Sequence, residues 1–213
     1  MEQLIDSLMT DTVTELNLNN RNIDDYRLTI ICKKGLAEKS CTKLYLDQNQ
    51  LTGVGANTLS YSLHNNMCLT ELDLSRNPLG DLGVYSLAQV LSICNSTLTV
   101  LHLSANQITD EGADYLVEML KVNKTLSTLN LSENQLTDQS VRLFSNVICQ
   151  FNRTLRWLSL AKNQSITDQS LTDIQNMLKE PLGLETIFLN DCGLSMSVRT
   201  QLQQINGKCE VNI

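Results

Sequence analysis

The chain is 213 residues long and carries 16 Lys and Arg against 23 Asp and Glu, a formal net charge of −7. So acidic a chain lacks the basic footprint of a nucleic-acid or anionic-membrane binder, and no apolar run approaches the ~20 residues that cross a bilayer. The start Met1-Glu2-Gln3-Leu4-Ile5 has no basic flank of the kind a secretory signal carries, so the expectation is a cytoplasmic protein.

Residues 1 to 12 set Leu4, Ile5 and Leu8 on one helical face. They predict either an N-terminal cap helix over an exposed repeat edge or a longer array cut inside a repeat. From Val13 onward one eleven-place frame recurs, with apolar residues at places one, four, six and eleven and asparagine at place nine. Its clearest copy is Leu98-Thr99-Val100-Leu101-His102-Leu103-Ser104-Ala105-Asn106-Gln107-Ile108. Frames begin at 13, 41, 69, 98, 126, 155 and 184, so neighbours stand 28 or 29 residues apart. Place nine departs from asparagine at Arg21 in the first frame and at Cys192 in the last. In the sixth frame an extra residue separates Asn163 from Ile166, which predicts a local bulge.

Between frames the hydrophobic period changes from 2 to 3.6. After Ile108 come Thr109, Asp110 and Glu111, a capping pair and an acidic first turn, and then Leu116, Met119 and Leu120 on one face. Similar Thr-Asp-Gln-Ser runs follow Leu136 and Ile166, and each predicts a helix start. Pro181 and Gly183 are expected to end the helix after the sixth frame. The last unit reads as a cap over residues 195–213. Its helix holds Val198, Leu202 and Ile205, Gly207 closes it, and Cys209-Glu210-Val211-Asn212-Ile213 alternates like a short edge strand.

The L-x-x-L-x-L-x-x-N-x-L spacing resembles the leucine-rich repeat, and the 28 to 29 residue period is similar to its ribonuclease-inhibitor-like subclass, over about residues 4 to 213. The resemblance implies an α/β solenoid in one domain over 1–213. It is a horseshoe arc with a parallel inner sheet of about seven strands and helices on the convex side, used to bind proteins. The bend has a simple cause: parallel strands stack about 4.8 Å apart and packed helices about 8–10 Å, so strands tied to helices take the inside of the curve. Seven strands span roughly 30 Å, room for a partner domain rather than a small molecule. Asn49, Asn77, Asn106, Asn134 and Asn163 are expected to form a ladder, each amide bonding backbone groups left unpaired where strand becomes loop.

With the leucines inward, places two, three, five, seven and eight are left for the concave face. Trp157 and Phe188 fall there on adjacent strands. Large aromatics of this kind dominate interface energetics, although the two rings could instead fill space beside one another under the C-terminal cap. Tyr45, Asp47, Glu71 and Asp73 make a second, acidic patch that suits a basic partner segment or is simply a solvated face. His102 stands between Asp73 and Asn130 on neighbouring strands, close enough for an Asp–His contact. The partner-binding candidates are therefore Tyr45, Asp47, Glu71, Asp73, His102, Trp157 and Phe188.

Little in the chain points to catalysis. There are two histidines, and His64 falls near a helix C-terminus, where positive charge is favoured. No serine or cysteine elbow, catalytic carboxylate pair or glycine-rich phosphate loop accompanies His102, so neither a catalytic residue nor a cofactor is expected. The seven cysteines, Cys32, Cys41, Cys68, Cys94, Cys149, Cys192 and Cys209, contain no C-x-x-C pair and take the slots of small buried residues. They read as reduced structural thiols without a metal. Sequons at Asn95, Asn123, Asn130, Asn152 and Asn163 are expected to stay unglycosylated, because Asn95, Asn123 and Asn152 each stand three residues before a frame-opening leucine. The function these features imply is a non-enzymatic protein-interaction scaffold. Two alternatives come from resemblance: a GTPase regulator similar to the Ran GTPase-activating proteins, and a ligand-sensing fragment of a NOD-like receptor. Few apolar residues are expected outside the concave face, which favours a monomer.

Overall fold

The structure, a computed structural model, describes residues 14–33, 41–94, 97–179, 183–205 and 209–213. The cap helix expected over residues 1–12 and the roles given to Pro181 and Gly207 lie outside the described residues.

Places three to five of each frame form a three-residue strand: β1 (Glu15–Asn17), β2 (Lys43–Tyr45), β3 (Glu71–Asp73), β4 (Val100–His102), β5 (Thr128–Asn130), β6 (Trp157–Ser159) and β7 (Thr186–Phe188). The alternating C-terminus supplies the expected closing strand, β8 (Glu210–Asn212), so among the described residues the sheet has eight strands, seven from the frames and this one. All pair in parallel and in sequence order. The register matches the frames place for place, with Glu71 opposite Val100, Thr128 opposite Trp157 and Phe188 opposite Asn212. Between strands run α1 (Asp25–Ile31), α2 (Gly53–Asn65), α3 (Gly80–Ile93), α4 (Asp110–Val122), α5 (Asp138–Gln150), α6 (Leu171–Met177, behind a 3-10 turn at Asp168–Ser170) and α7 (Met196–Gln203). Leu44, Leu72, Leu101, Leu129 and Leu158 sit at the strand centres and are fully buried, whereas their strand neighbours on either side are mostly half-exposed. One sheet face therefore packs into the helices and the other is bare.

Each strand leaves its frame through the same turn. Place eight is left-handed in all seven frames, at Asn20, Gln48, Arg76, Ala105, Glu133, Lys162 and Asp191, although none is glycine. That conformation costs about 1–2 kcal/mol per non-glycine residue, and the neighbouring place-nine asparagine offsets it. The Asn49 Oδ1 accepts the N–H groups of Arg21 and Ile23 at 3.1 and 2.9 Å, while its Nδ2 donates to the Leu18 and Leu46 carbonyls at 3.0 and 2.9 Å. Asn134 and Asn163 repeat the pattern. Each amide thus ties two frames together. At the last rung the Cys192 Sγ donates to the Leu160 carbonyl at 3.3 Å, and burial pushes this thiol up to about 11, keeping the proton the bond needs.

Asn106 is the imperfect rung. Its Nδ2 donates to the Leu74 and Ser104 carbonyls, both at 3.0 Å, but its Oδ1 is buried with no partner. Pro78 explains this. Gln50 and Gln135, at place ten of their frames, donate to the preceding frame, and proline has no N–H to give. The turn tightens instead, with the Leu79 N–H on the Asn77 carbonyl and the Gly80 N–H on the Asn106 carbonyl. In the sixth frame the expected bulge is a turn in which the Ile166 N–H meets the Asn163 carbonyl at 3.1 Å. Gly193 makes room for it, since a Cβ there would lie 2.4 Å from the Gln164 carbonyl oxygen.

A second ladder runs along the helix starts. Thr52, Thr109, Thr137 and Thr167 each cap a helix or turn with a side-chain oxygen. Each also takes its N–H and hydroxyl to a carboxylate one repeat earlier, on Asp25, Asp81, Asp110 and Asp138 respectively, at 2.6–3.0 Å. Asparagines before the frames form a third ladder. Asn123 and Asn152 are buried and hold the N–H groups of Leu126 and Leu155, both at 2.9 Å, so these sequons, with fully buried Asn163, are consumed by the fold.

Two expectations are corrected. All seven cysteines are free, but only Cys32, Cys41 and Cys192 are buried, and Cys68 is exposed. The helix side is also far from polar: Val54, Tyr61, Leu82, Tyr85, Ile93 and Met196 are all exposed there.

Candidate protein-binding face

Part of the bare strand face is taken up by the fold itself. The place-two hydroxyls of Thr42, Thr70, Thr99 and Ser127 each donate to the place-two carbonyl of the preceding frame at 2.9–3.0 Å. Ser75 and Ser104, at place seven, are buried. In these frames places two and seven belong to the fold, so the surface left for recognition comes chiefly from places three, five and eight, joined by Asp47 at place seven and Arg156 and Glu185 at place two.

At the N-terminal end the acidic patch has its own counter-charges. The Glu71 carboxylate is shared, one oxygen 3.1 Å from the Lys43 Nζ and the other accepting the Tyr45 hydroxyl at 3.1 Å. The same bond to Glu71 raises the Lys43 pKa, while burial and then Glu71 raise that of Tyr45. Asp47 pairs with Arg76 at 3.0 Å, and Asp73 turns its Oδ1 to the Ser75 N–H at 2.9 Å. The expected Asp73–His102 contact is not made. A basic partner segment would have to displace bonds here rather than find free carboxylates. Lys43 and Arg76 were the missing members of this patch; the signal was opposite charge at matching or adjoining places one repeat apart.

The C-terminal end is different in kind. Trp157 on β6 and Phe188 on β7 pack ring to ring with centroids 4.5 Å apart and planes tilted by 47°. Both remain half-buried even though β8 lies beside Phe188. Charged pairs stand on the neighbouring loops, Lys162 with Glu133 at 2.9 Å and Arg156 with Glu185 at 3.7 Å. An apolar centre with a charged rim is the usual anatomy of a protein interface. Strands β4 and β5 separate this pair from the Tyr45–Glu71 network, so the seven candidates form two patches, with His102 between them.

Among the described residues, no group of three or more His, Cys, Asp or Glu could hold a metal ion, and no helix is long and apolar enough to cross a membrane.

Residues 65–88, 94–117 and 122–145 match the Leucine Rich repeat family model. The chain is 34% identical over 200 residues to the ribonuclease inhibitor of Sus scrofa, covering 92% of this chain and 37% of that protein. It is 30% identical to NACHT, LRR and PYD domains-containing protein 12 of Homo sapiens, over 86% of this chain and 15% of that one. The chain thus spans little more than a third of the first relative and far less of the second. Among solved structures, an internalin C2 from Listeria monocytogenes superposes with a TM-score of 0.56 at 23% identity, over 95% of this chain and 75% of that one. The frames, the eight-stranded parallel sheet and these likenesses agree: the chain is a leucine-rich repeat protein with repeats of the ribonuclease-inhibitor-like type.

Proposed function

We propose that this chain is a non-enzymatic scaffold that binds a partner protein on its bare strand face. The observation that carries the reading is the Trp157–Phe188 pair, two large aromatic side chains left half-open at the centre of a charged rim. On this reading the contact is centred on β6 and β7, where burying the rings supplies the binding energy. The lysine- and arginine-paired carboxylates near β2 and β3 act as a polar flank. The partner is a folded domain met in the cytoplasm, and the relative's name makes a ribonuclease the first one to try. Photo-cross-linking tests the placement: a photoreactive residue at Thr128 or Thr186, beside the rings, should trap the partner, and one at Asn146 on α5 should not. Trapping from Asn146 alone would contradict it.

A second reading, the repeat segment of a NOD-like receptor, rests on the likeness to the NACHT, LRR and PYD protein. Sequencing the native transcript tests it, because a nucleotide-binding segment in the same reading frame is required.

A further inference from the structure

The helix side carries a face that partner binding on the strands leaves unused. Along the groove between α2 and α3 stand Val54 and Tyr61 from α2 and Leu82, Tyr85 and Ile93 from α3, exposed by 67, 73, 74, 44 and 76%. At the helix starts the groove widens into a cleft of about 690 Å³ lined by Gly53, Val54, Gly80, Leu82 and Tyr85, with Asp81 and Glu111 also in its wall. The sequence is unusual at the same place. Gly53 stands where the helix-start ladder has aspartate in every other frame from the first to the sixth, and Gly80 where the second, fourth, fifth and sixth frames have threonine. The two replacements remove one rung together.

Charge is the second peculiarity. Over their whole lengths α2 and α3 hold one aspartate, Asp81, one histidine, His64, and no lysine or arginine. Asp81 is already committed to the Thr109 N–H and hydroxyl and to the Gly112 N–H, at 2.7–3.0 Å. The next helix, α4, by contrast carries Asp110, Glu111, Asp114, Glu118 and Lys121. Two copies of a chain with net charge −7 repel one another over most of their surface. Across α2 and α3 they bring few like charges together: besides Asp81, the carboxylate lining the cleft is Glu111 at its α4 edge, which accepts the Tyr115 hydroxyl at 2.7 Å. Charge depletion with aromatic and aliphatic enrichment is also the compositional mark of an interface core. The exposed area of the five side chains is on the order of 700 Å², close to the ~800 Å² per partner of a standard interface.

We propose that the α2–α3 face pairs with the same face of a second copy, helix side to helix side about a two-fold axis. Ridges formed by Tyr61 on one copy and by Leu82 and Ile93 on the other then fill the facing grooves. Both strand faces point outward in such a pair, so it presents two partner sites at once and gains avidity for a multivalent partner.

Sedimentation velocity on the full chain tests this, from about 1 to 200 µM, with a reductant present so that exposed Cys68 cannot link copies. Wild type should move from monomer to dimer across that range. Leu82→Glu and Ile93→Glu change side chains that are three-quarters exposed, so each should keep the wild-type melting temperature while raising the dimer dissociation constant at least about tenfold. Asn146→Glu adds the same charge to α5, and the Trp157→Ala, Phe188→Ala double variant alters only the strand face; both should dimerise like wild type. A wild type that stays monomeric throughout would overturn the proposal and leave the face to a partner of another sequence. A dimer indifferent to both Leu82→Glu and Ile93→Glu would overturn it equally.

Discussion

Trp157 and Phe188, 31 residues apart in the chain, meet ring to ring because the repeat sets them on neighbouring strands, with centroids 4.5 Å apart. The contact is diagonal. Trp157 occupies place three of its frame and Phe188 place five of the next, so each covers one flank of the other and leaves one open. Such a pair contributes about 0.5–1.5 kcal/mol beyond its buried area. Phe188→Ala should therefore cost about 1 kcal/mol in urea unfolding while lowering partner affinity tenfold or more. Leu129→Ala, at a fully buried strand centre, should cost about 2–5 kcal/mol. Equal losses from Phe188→Ala and Leu129→Ala would make the ring pair part of the core.

The asparagine ladder makes a comparative prediction. Removing the Asn163 amide strands the Asn134 and Leu136 N–H groups, each worth about 1–3 kcal/mol when left unsatisfied, while the Leu131 and Leu160 carbonyls keep the Asn134 amide and the Cys192 thiol as donors. Asn106→Ala strands fewer groups and removes an acceptor that is itself without a partner. Asn163→Ala should thus destabilise by about 3 kcal/mol and Asn106→Ala by about 1–2 kcal/mol less than that. Chemical denaturation of both variants gives the order directly, and a reversed order would refute the explanation built on Pro78.

How much of this was legible follows from what a repeat can and cannot encode. Place-four leucines, place-nine asparagines and even the closing strand at Val211 follow from period alone, since the same backbone problem is solved at each turn. The Thr–Asp staples were half legible: Thr109 and Asp110 announce a helix start, but the carboxylate's partner is Thr137 in the next repeat, a contact no local pattern states. Side-chain pairing on the bare face was least legible. Tyr45, Glu71 and Lys43 join across the sheet register and Asp47 pairs with Arg76, so carboxylates expected to face a basic segment or solvent are engaged within the chain. The apolar α2–α3 face was hidden for a related reason: Leu82 and Ile93 look like core residues until the helix is oriented.

Acid should weaken the helix starts held by Asp110 and Asp168. Burial alone would raise the Asp110 carboxyl, but hydrogen bonds from Ser140 and Thr137 together hold it below its ordinary 3.8, and the Ser195 N–H does the same for Asp168. A carboxylate depressed in the folded state contributes stability that is present above its unfolded value and lost as pH falls through the folded one. Circular dichroism from about pH 5 to pH 2 should therefore show stability falling below about 3.8, with Asp110→Asn less stable at neutral pH and flatter in acid. A variant with the full wild-type acid slope would remove Asp110 from the account.

Alkali acts on the thiols in the opposite direction. Burial raises Cys192 and Cys209 from 9.0 to about 11. A thiol held protonated by the fold adds stability below pH 9 that is lost as pH rises towards 11, because the unfolded chain ionises first. Cys209→Ala should flatten that decline. In the native state at neutral pH, exposed Cys68 should react with a thiol reagent far faster than Cys192, which should react only on unfolding. Equal labelling rates would contradict the burial of the last rung.

The central claim is that the aromatic end of the bare strand face holds a partner protein. Affinity capture from native cell extract, with wild type beside the Trp157→Ala, Phe188→Ala double variant and captured proteins read by mass spectrometry, tests it most directly. A protein should be retained by wild type and lost from the double variant, which stays folded at a cost of only about 1–2 kcal/mol. The same proteins on both baits, in equal amount, would show that the rings serve only packing and would contradict it.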